Sequence, residues 1–196
     1  FFESEVADSA LKIVREFLSK GVFEESDGAV VFKGEKYDPK LHTRVFISSQ
    51  GIPMYEAKDI AHALRKYDTY KFDKSIIVTA NEQSQYFKVV LRALQEVNSE
   101  IAEKTEHVAH GLLKLPTGKM SSRKGNTITG ETLIYDVEEM VREKIKDSEF
   151  SDSEKDSIAE LVATGAIKYS ILHQAIGGDI VFDFDKSISF EGDSGP

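Results

Sequence analysis

The sequence predicts an α/β fold, with a β-hairpin-bearing α+β part at the N-terminal side and a helical C-terminal region. In the middle of the chain, strand patterns over 75–80 and 108–115 flank a helical pattern over 83–97, an alternation typical of a parallel sheet. The 196 residues are 40% hydrophobic and 30% charged, which indicates a folded protein rather than a disordered or fibrous one. In such sheets ligands bind at the carboxyl ends of the strands.

The N-terminal quarter predicts one helix followed by hairpins. Apolar side chains recur at helical spacing over 4–20. A turn signal at 26–28 lies between apolar segments and predicts a first hairpin. The segments 44–48 and 52–55 predict a second hairpin, and a helix is expected from about Ala57 to Tyr67.

The C-terminal part is predominantly helical. Helices are predicted over 130–146 and 153–173, the second capped by Ser151 or Ser153. A strand over 180–184 follows, in which alternation would account for the acidic residues on either side of Phe184.

Composition excludes several classes of protein. The 25 Lys and Arg against 34 Asp and Glu give a net charge of -9, which disfavours a protein that coats nucleic acid through many phosphate contacts. Cysteine is absent, which excludes disulfides, Cys-based zinc sites and thiol catalysis. The acidic residues at the start argue against a signal peptide, and no apolar run reaches the roughly 20 residues that span a bilayer. We therefore expect a cytoplasmic protein without a membrane partner. Because the chain starts without Met, we also expect it to be a piece of something longer.

A basic, glycine-flanked segment at 118–126, with the sequence GKMSSRKGN, is the sharpest local feature. From 107 to 130 the chain has four Lys or Arg and no Asp or Glu. Glycines let a backbone approach a ligand closely, and hydroxyls with cationic side chains suit a polyphosphate. Composition alone equally allows a solvated basic loop.

The residues of this segment resemble the second signature loop of class I aminoacyl-tRNA synthetases, and the run Met-Ser-Ser-Arg-Lys-Gly-Asn looks most like arginyl-tRNA synthetases. In that family the loop clamps the ATP triphosphate while the amino-acid carboxylate attacks the α-phosphate. Ser122 stands where most class I enzymes have a second lysine, as is common in arginyl enzymes. The resemblance implies a catalytic cation among Lys119, Arg123 and Lys124. It implies ATP contacts from Leu112, Leu113, Lys119, Met120 and Ser121, with the backbone near the two leucines facing adenine.

Two further blocks resemble the same family. Tyr55 and Asp59 belong to a Tyr-x-x-x-Asp-Ile-Ala segment, and their spacing of four places them on one helical face. A carboxylate beside an aromatic ring suits a guanidinium, although an ordinary helix aspartate beside a packed tyrosine has the same pattern. Gln83 follows a predicted strand and resembles the family's glutamine that helps hold the substrate arginine. Tyr86 stands where the family often has His, and no contact is assigned to it.

The matching blocks extend over roughly residues 20–196 and imply the second half of a class I synthetase Rossmann-like parallel sheet. The implied divisions are part of a catalytic insertion at 1–50, the second half of the catalytic domain at 51–130, and a helical region leading to an anticodon-binding domain at 131–196. The implied activity is that of an arginine–tRNA ligase, with arginine, ATP accompanied by Mg²⁺, and tRNA(Arg) as partners and no metal bound by the protein. A chain without the first class I signature is expected to be inactive by itself.

Alternatives remain at this stage. His107-Val108-Ala109-His110 superficially resembles the first signature, His-Ile-Gly-His, but it lies too close to the basic loop. A metal role for these two histidines is not favoured without a third ligand. Another class I synthetase, such as a class I lysyl type, is one rival function. The other is a non-catalytic RNA-binding or adaptor module on the same fold.

Overall fold

The computed structural model describes residues 1–114 and 129–189. The chain divides into two compact units, Phe1–Ala109 and His110–Pro196. The functional divisions near residues 50 and 130 stay predictions. Within the described residues, no helix is long and apolar enough to cross a membrane.

The first unit contains helices and strands in mixed order. Its helices are α1 (Ala7–Ser19), α2 (Tyr55–Tyr70), α3 (Ser84–Val97) and α4 (Ser99–Glu103). Its strands are β1 (Glu24–Ser26), β2 (Ala29–Lys33), β3 (Thr43–Ile47), β4 (Ser75–Ala80) and β5 (Thr105–His110). Its core is built on fully buried side chains that include Phe23, Phe32, Phe46, Ile60 and Leu94.

An antiparallel sheet of β1, β2 and β3 lies in the N-terminal part. The first predicted hairpin is confirmed, and Asp27 and Gly28 turn it with φ of 50° and 77°. The second predicted hairpin is present in a short form: Ser48 N donates to Ile52 O and Met54 N donates to Phe46 O, both at 2.9 Å, on either side of an antiparallel bridge from Ile47 to Pro53. Its second arm stays short, because proline has no N–H for a strand ladder and α2 begins two residues later.

The strands β4 and β5 pair with each other, and α3 and α4 connect them. Ser75 N donates to Lys104 O at 2.7 Å. Thr79 Oγ1 lies 2.8 Å from His107 Nε2, so residue numbers rise in the same direction along both strands. This is the parallel strand–helix–strand unit that the sequence predicts. The predicted strand 108–115 is displaced, because β5 starts at Thr105.

The second unit has a short parallel pair, β6 (Leu113–Lys114) and β7 (Ile180–Val181), with α5 (Gly130–Ile145), α6 (Asp152–Leu172) and α7 (Phe184–Ser187). Its core includes the buried side chains of Val137, Val141, Ala159, Ala163 and Phe182.

Capping side chains fix two helix starts in this unit. Ser151 caps α6 and forms a capping box with Glu154, which decides between the two predicted caps. Asp183 caps α7 by accepting from Lys186 N at 3.3 Å. The strand predicted over 180–184 is therefore wrong beyond Val181, since the acidic residues near Phe184 belong to a helix start.

Candidate functional site

A cavity of about 510 Å³ lies at the carboxyl end of β4 in the first unit. Such a volume is in the range of small-molecule sites. The cavity is lined by Arg44, Met54, Tyr55, Glu56, Asp59, Thr79, Gln83, Tyr86 and Phe87. It brings together Tyr55, Asp59 and Gln83, the three residues that the family resemblance assigns to the substrate arginine.

Helix α2 presents three of the polar lining residues, Tyr55, Glu56 and Asp59. Met54, in extended conformation, precedes the helix, so Tyr55 opens its first turn. Tyr55 and Asp59 are four residues apart and Glu56 and Asp59 are three apart, which places all of them on neighbouring positions of one face. Glu56 also lies in the first turn, where the helix dipole favours a negative charge. Sequence analysis missed Glu56, although its spacing from Asp59 was visible.

The carboxylate of Asp59 is held from α3. Tyr86 donates its hydroxyl to Asp59 Oδ2 at 2.6 Å. Burial raises the pKa of Asp59, and the Tyr86 hydrogen bond opposes that rise. Burial and the neighbouring Asp59 together raise the pKa of Tyr86, so its hydroxyl stays a donor. Tyr86, to which sequence analysis assigned no contact, therefore belongs to the cavity.

A guanidinium of the protein itself lines the same cavity. Arg44, at the start of β3, places Nη1 3.0 Å from Glu56 Oε1. Its guanidinium carbon lies 5.1 Å from the centre of the Tyr86 ring. The Glu56 side chain is only 11% exposed, so this ion pair is largely desolvated. The Arg44 guanidinium therefore cancels the negative charge of Glu56. Asp59 differs from Glu56, because among the described residues its carboxylate has a hydroxyl and no cation as hydrogen-bond partner.

A smaller cavity of about 240 Å³ shares Tyr55 and Asp59 with the first. Glu3 and Lys58 also line it and form an ion pair with each other. His62 completes its polar lining, and burial lowers the pKa of this imidazole. Asp59 is thus reached from two adjoining cavities, a feature that residue spacing alone did not reveal.

In the second unit, the backbone of 111–114 is held against β7. Leu112 O accepts from Ile180 N at 3.0 Å, and Lys114 O accepts from Phe182 N at 2.8 Å. Leu112 N donates to Asp179 Oδ1 at 3.1 Å. Backbone groups of successive strand residues point to opposite edges, so the N–H and C=O of Leu113 face away from β7.

The glycine at position 111 permits this arrangement. An added Cβ on Gly111 would lie 1.8 Å from Gly178 O, a distance that no side chain tolerates. The Asp179 carboxylate, two residues before Val181, also pairs with the ammonium of Lys114. The predicted ATP residues Lys119, Met120 and Ser121, and the candidate cations Arg123 and Lys124, lie outside the described residues.

The two histidines of 107–110 have structural contacts. His107 contacts Thr79 and stacks on Phe87 with ring centres 4.4 Å apart, and burial lowers its pKa. His110 Nδ1 lies 2.7 Å from Gly111 O. In the part of the chain that the structure describes, no three His, Asp or Glu side chains group as a metal site.

The family described as tRNA synthetases class I (R), catalytic domain, matches residues 2–184. The chain belongs to this family. The arginine–tRNA ligase of Borrelia turicatae is 31% identical over 202 residues, which cover 100% of this chain and 35% of that protein. The ligase of Streptococcus thermophilus is 35% identical over 195 residues, covering 100% of this chain and 34% of that protein. This family member thus spans about a third of the length of the curated relatives it matches.

Solved structures show the fold of this class I synthetase chain. Thermus thermophilus arginyl-tRNA synthetase matches with a TM-score of 0.81 at 24% identity, covering 97% of this chain and 38% of that one. The Plasmodium falciparum arginyl-tRNA synthetase matches with a TM-score of 0.77 at 20% identity, covering 98% of this chain and 32% of that one. The predicted α/β fold of a class I synthetase is thereby confirmed, as is the predicted family.

Proposed function

We propose that this chain supplies the arginine pocket and part of the ATP site of an arginine–tRNA ligase. The observation that carries the proposal is Asp59, a half-buried carboxylate in a cavity of about 510 Å³ with Tyr55 and Gln83 beside it. Membership of the arginine-specific class I family supports it. A protein of the relatives' full length that contains this chain would be the complete ligase.

Arginine recognition follows from charge and shape. A guanidinium is planar and always charged, and it suits a carboxylate with a neighbouring aromatic face. Asp59 supplies the charge, Tyr55 the ring, and Gln83 an amide that can hydrogen-bond to the amino-acid end. Since Arg44 already neutralises Glu56, the negative charge of Asp59 remains in the cavity and suits one cationic side chain.

The ATP contacts divide between backbone and side chains. Leu113, whose N–H and C=O face away from β7, has the donor and acceptor that an adenine edge requires. Leu112 uses its own N–H and C=O on Asp179 and Ile180, which favours Leu113 over Leu112 for adenine. We assign the triphosphate to Lys119, Arg123 or Lys124, with Met120 and Ser121 on the same loop.

The reaction would proceed in two transfers. An oxygen of the arginine carboxylate attacks the α-phosphorus of ATP, and the bond to the bridging oxygen breaks, giving arginyl-adenylate and pyrophosphate. A hydroxyl at the tRNA 3′ end then attacks the arginyl carbonyl carbon and releases AMP. Negative charge grows on the leaving pyrophosphate in the transition state. Cations that bind this charge more strongly there than in bound ATP lower the barrier of the first transfer. Mg²⁺ is proposed to arrive with ATP, tRNA(Arg) is the proposed acceptor, and the cytoplasm is the proposed compartment.

A ligand series tests arginine recognition. Amide NMR spectra of this chain are recorded with L-arginine, with L-citrulline, which replaces the guanidinium by a neutral urea of similar shape, and with L-lysine. We expect arginine to shift signals around Tyr55, Asp59 and Gln83, and citrulline to leave them in place. Asp59→Asn should weaken arginine binding by about 2–4 kcal/mol, because it removes a charge-assisted pair.

The same series in the complete ligase, followed by ATP–pyrophosphate exchange, separates the rival functions. Exchange driven by lysine would indicate a lysyl enzyme, and absence of exchange with every amino acid in the presence of tRNA would indicate a non-catalytic module. Equal binding of arginine and citrulline would contradict the role of Asp59. Tyr67→Phe, which removes a tyrosine hydroxyl from a hydrogen bond to Glu100 outside the cavity, is the matched control for folding.

A further inference from the structure

The hydroxyl of Tyr86 occupies one oxygen of the proposed arginine receptor. At 2.6 Å from Asp59 Oδ2 it makes a short hydrogen bond, as expected for a hydroxyl donating to a carboxylate. Among the described residues, it is the one side chain that hydrogen-bonds to this carboxylate. Oδ1 is therefore left for a ligand.

The identity of the donor matters because it is neutral. A lysine or arginine in its place would hold Asp59 equally well but would cancel the charge that attracts a guanidinium. A tyrosine hydroxyl orients the carboxylate and leaves its charge in the cavity. Arg44, the cation that lines the larger cavity, is engaged instead by Glu56 at 3.0 Å.

Arg44 also holds the Tyr86 ring. Its guanidinium carbon lies 5.1 Å from the ring centre, within the distance of a cation–π contact. Phe87 packs edge-on against the same ring, with centres 5.0 Å apart. The Arg44 guanidinium is itself fixed by Glu56, so a continuous series of contacts runs from Glu56 through Arg44 and Tyr86 to Asp59.

We propose that Tyr86 is the positioning residue of the arginine receptor, fixed by the Arg44–Glu56 pair and holding Asp59 Oδ2 so that Oδ1 meets the guanidinium. This inference rests on the proposed function for the identity of the ligand. The contact between Tyr86 and Asp59 itself does not depend on that function.

The charged groups around Asp59 give the direction of its titration. Burial raises the pKa of Asp59, and Glu56 on α2 raises it further. The Tyr86 hydroxyl on α3, and His62 and Lys66 on α2, lower it. Arginine needs the ionised carboxylate, so affinity is present above the Asp59 pKa and is lost as pH falls through it. Removing the hydroxyl raises that pKa, so the loss must begin at higher pH.

The cavity is lined by further charged groups. Arg44 reaches it from β3, and Lys58 and Glu3 line the smaller cavity with Asp59. The last two engage each other, and all these groups remain unchanged when Tyr86 is replaced by Phe. A shift in the Asp59 titration in that variant therefore reports on the hydroxyl.

The test follows the Asp59 carboxyl carbon by NMR in this chain as pH is varied. Y86F keeps the ring, and we expect it to raise the Asp59 pKa. Y67F removes a similar hydroxyl–carboxylate bond at the Glu100 side chain and should leave Asp59 unchanged. In the complete ligase, Y86F should weaken arginine binding about tenfold at neutral pH. ATP affinity should stay at the parental value.

A double variant, R44M/E56Q, tests the contacts that Arg44 makes with Glu56 and with the Tyr86 ring. Because both charged groups are replaced together, no unpaired buried charge is left. The double variant should weaken arginine binding about threefold, less than Y86F does. An unchanged Asp59 titration in Y86F would overturn the positioning role. D59N separates the two proposals. If D59N leaves arginine affinity intact, the proposed function fails. The titration of Asp59 in Y86F is a separate measurement, and it alone decides whether Tyr86 holds this carboxylate.

Discussion

The cavity around Asp59 and the strand pair β6–β7 are built from different parts of the chain. In the cavity, the groups proposed to face arginine are side chains: a carboxylate, two tyrosines, an amide and an internal ion pair. In the strand pair, the groups proposed to face adenine are the N–H and C=O of Leu113, positioned by the hydrogen bonds of its neighbours to β7. A side-chain receptor reads charge and shape, whereas a backbone edge reads only donors and acceptors.

The difference determines which mutations damage each region. The proposed arginine site depends on the chemistry of a few side chains, so an isosteric change such as Asp59→Asn is expected to weaken arginine binding while keeping the shape of the cavity. The strand pair depends on how closely two backbones approach, so the sensitive positions are glycines. Substituting most side chains near β6 leaves its hydrogen bonds intact.

The largest expected effect on the strand pair comes from Gly111→Ala. Its Cβ would lie 1.8 Å from Gly178 O and 2.2 Å from Gly178 C, both backbone atoms, so β6 and β7 must separate. We expect a loss of about 1–3 kcal/mol in the free energy of unfolding, measured by urea denaturation of this chain. Gly165→Ala in α6 is the matched control, since its Cβ meets nothing within 4 Å and alanine favours a helix. Equal stability of the two variants would contradict the close approach.

The next effect concerns side chains outside the described residues. Alanine at one of Lys119, Arg123 or Lys124 should lower the rate of arginyl-adenylate formation at least tenfold, about 1.4 kcal/mol. The effect on ATP affinity should be smaller, because these cations act on charge that develops in the transition state. Single-turnover measurements in the complete ligase at saturating ATP would show it, with the exposed Lys168→Ala as control. Parental rates in all three variants would show that the segment is only a solvated basic turn.

The smallest effect is expected at Asp179. Asp179→Ala removes the acceptor of Leu112 N and the partner of Lys114, and should cost about 1 kcal/mol in the free energy of unfolding. Asp179→Asn keeps an acceptor oxygen and loses only a half-exposed ion pair, which should cost less. Urea denaturation and the KM for ATP in the complete ligase would measure both variants. An equal cost for Asn and Ala would show that the charge, and not the hydrogen bond, holds β6.

Much of the site was visible in local spacing. Tyr55 and Asp59 are four residues apart in one helix, and Gln83 follows a strand of an α/β unit, so helix geometry and the strand-end rule place all three. The hairpin at Asp27-Gly28 was equally local. The short hairpin of 44–48 with 52–55 was local as well, whereas the pairing of β3 with β2 is a contact that the pattern of one segment does not contain.

The sequence by itself determined the α/β class, the family and the helix face that carries Tyr55 and Asp59, because these depend on periodicity, motif order and short-range spacing. The tertiary structure decided which groups complete the receptor. Tyr86 lies 27 residues from Asp59, and Asp179 lies 67 residues from Leu112. Such contacts are chosen by the packing of whole elements on each other, and the chemistry of either residue alone does not specify its partner.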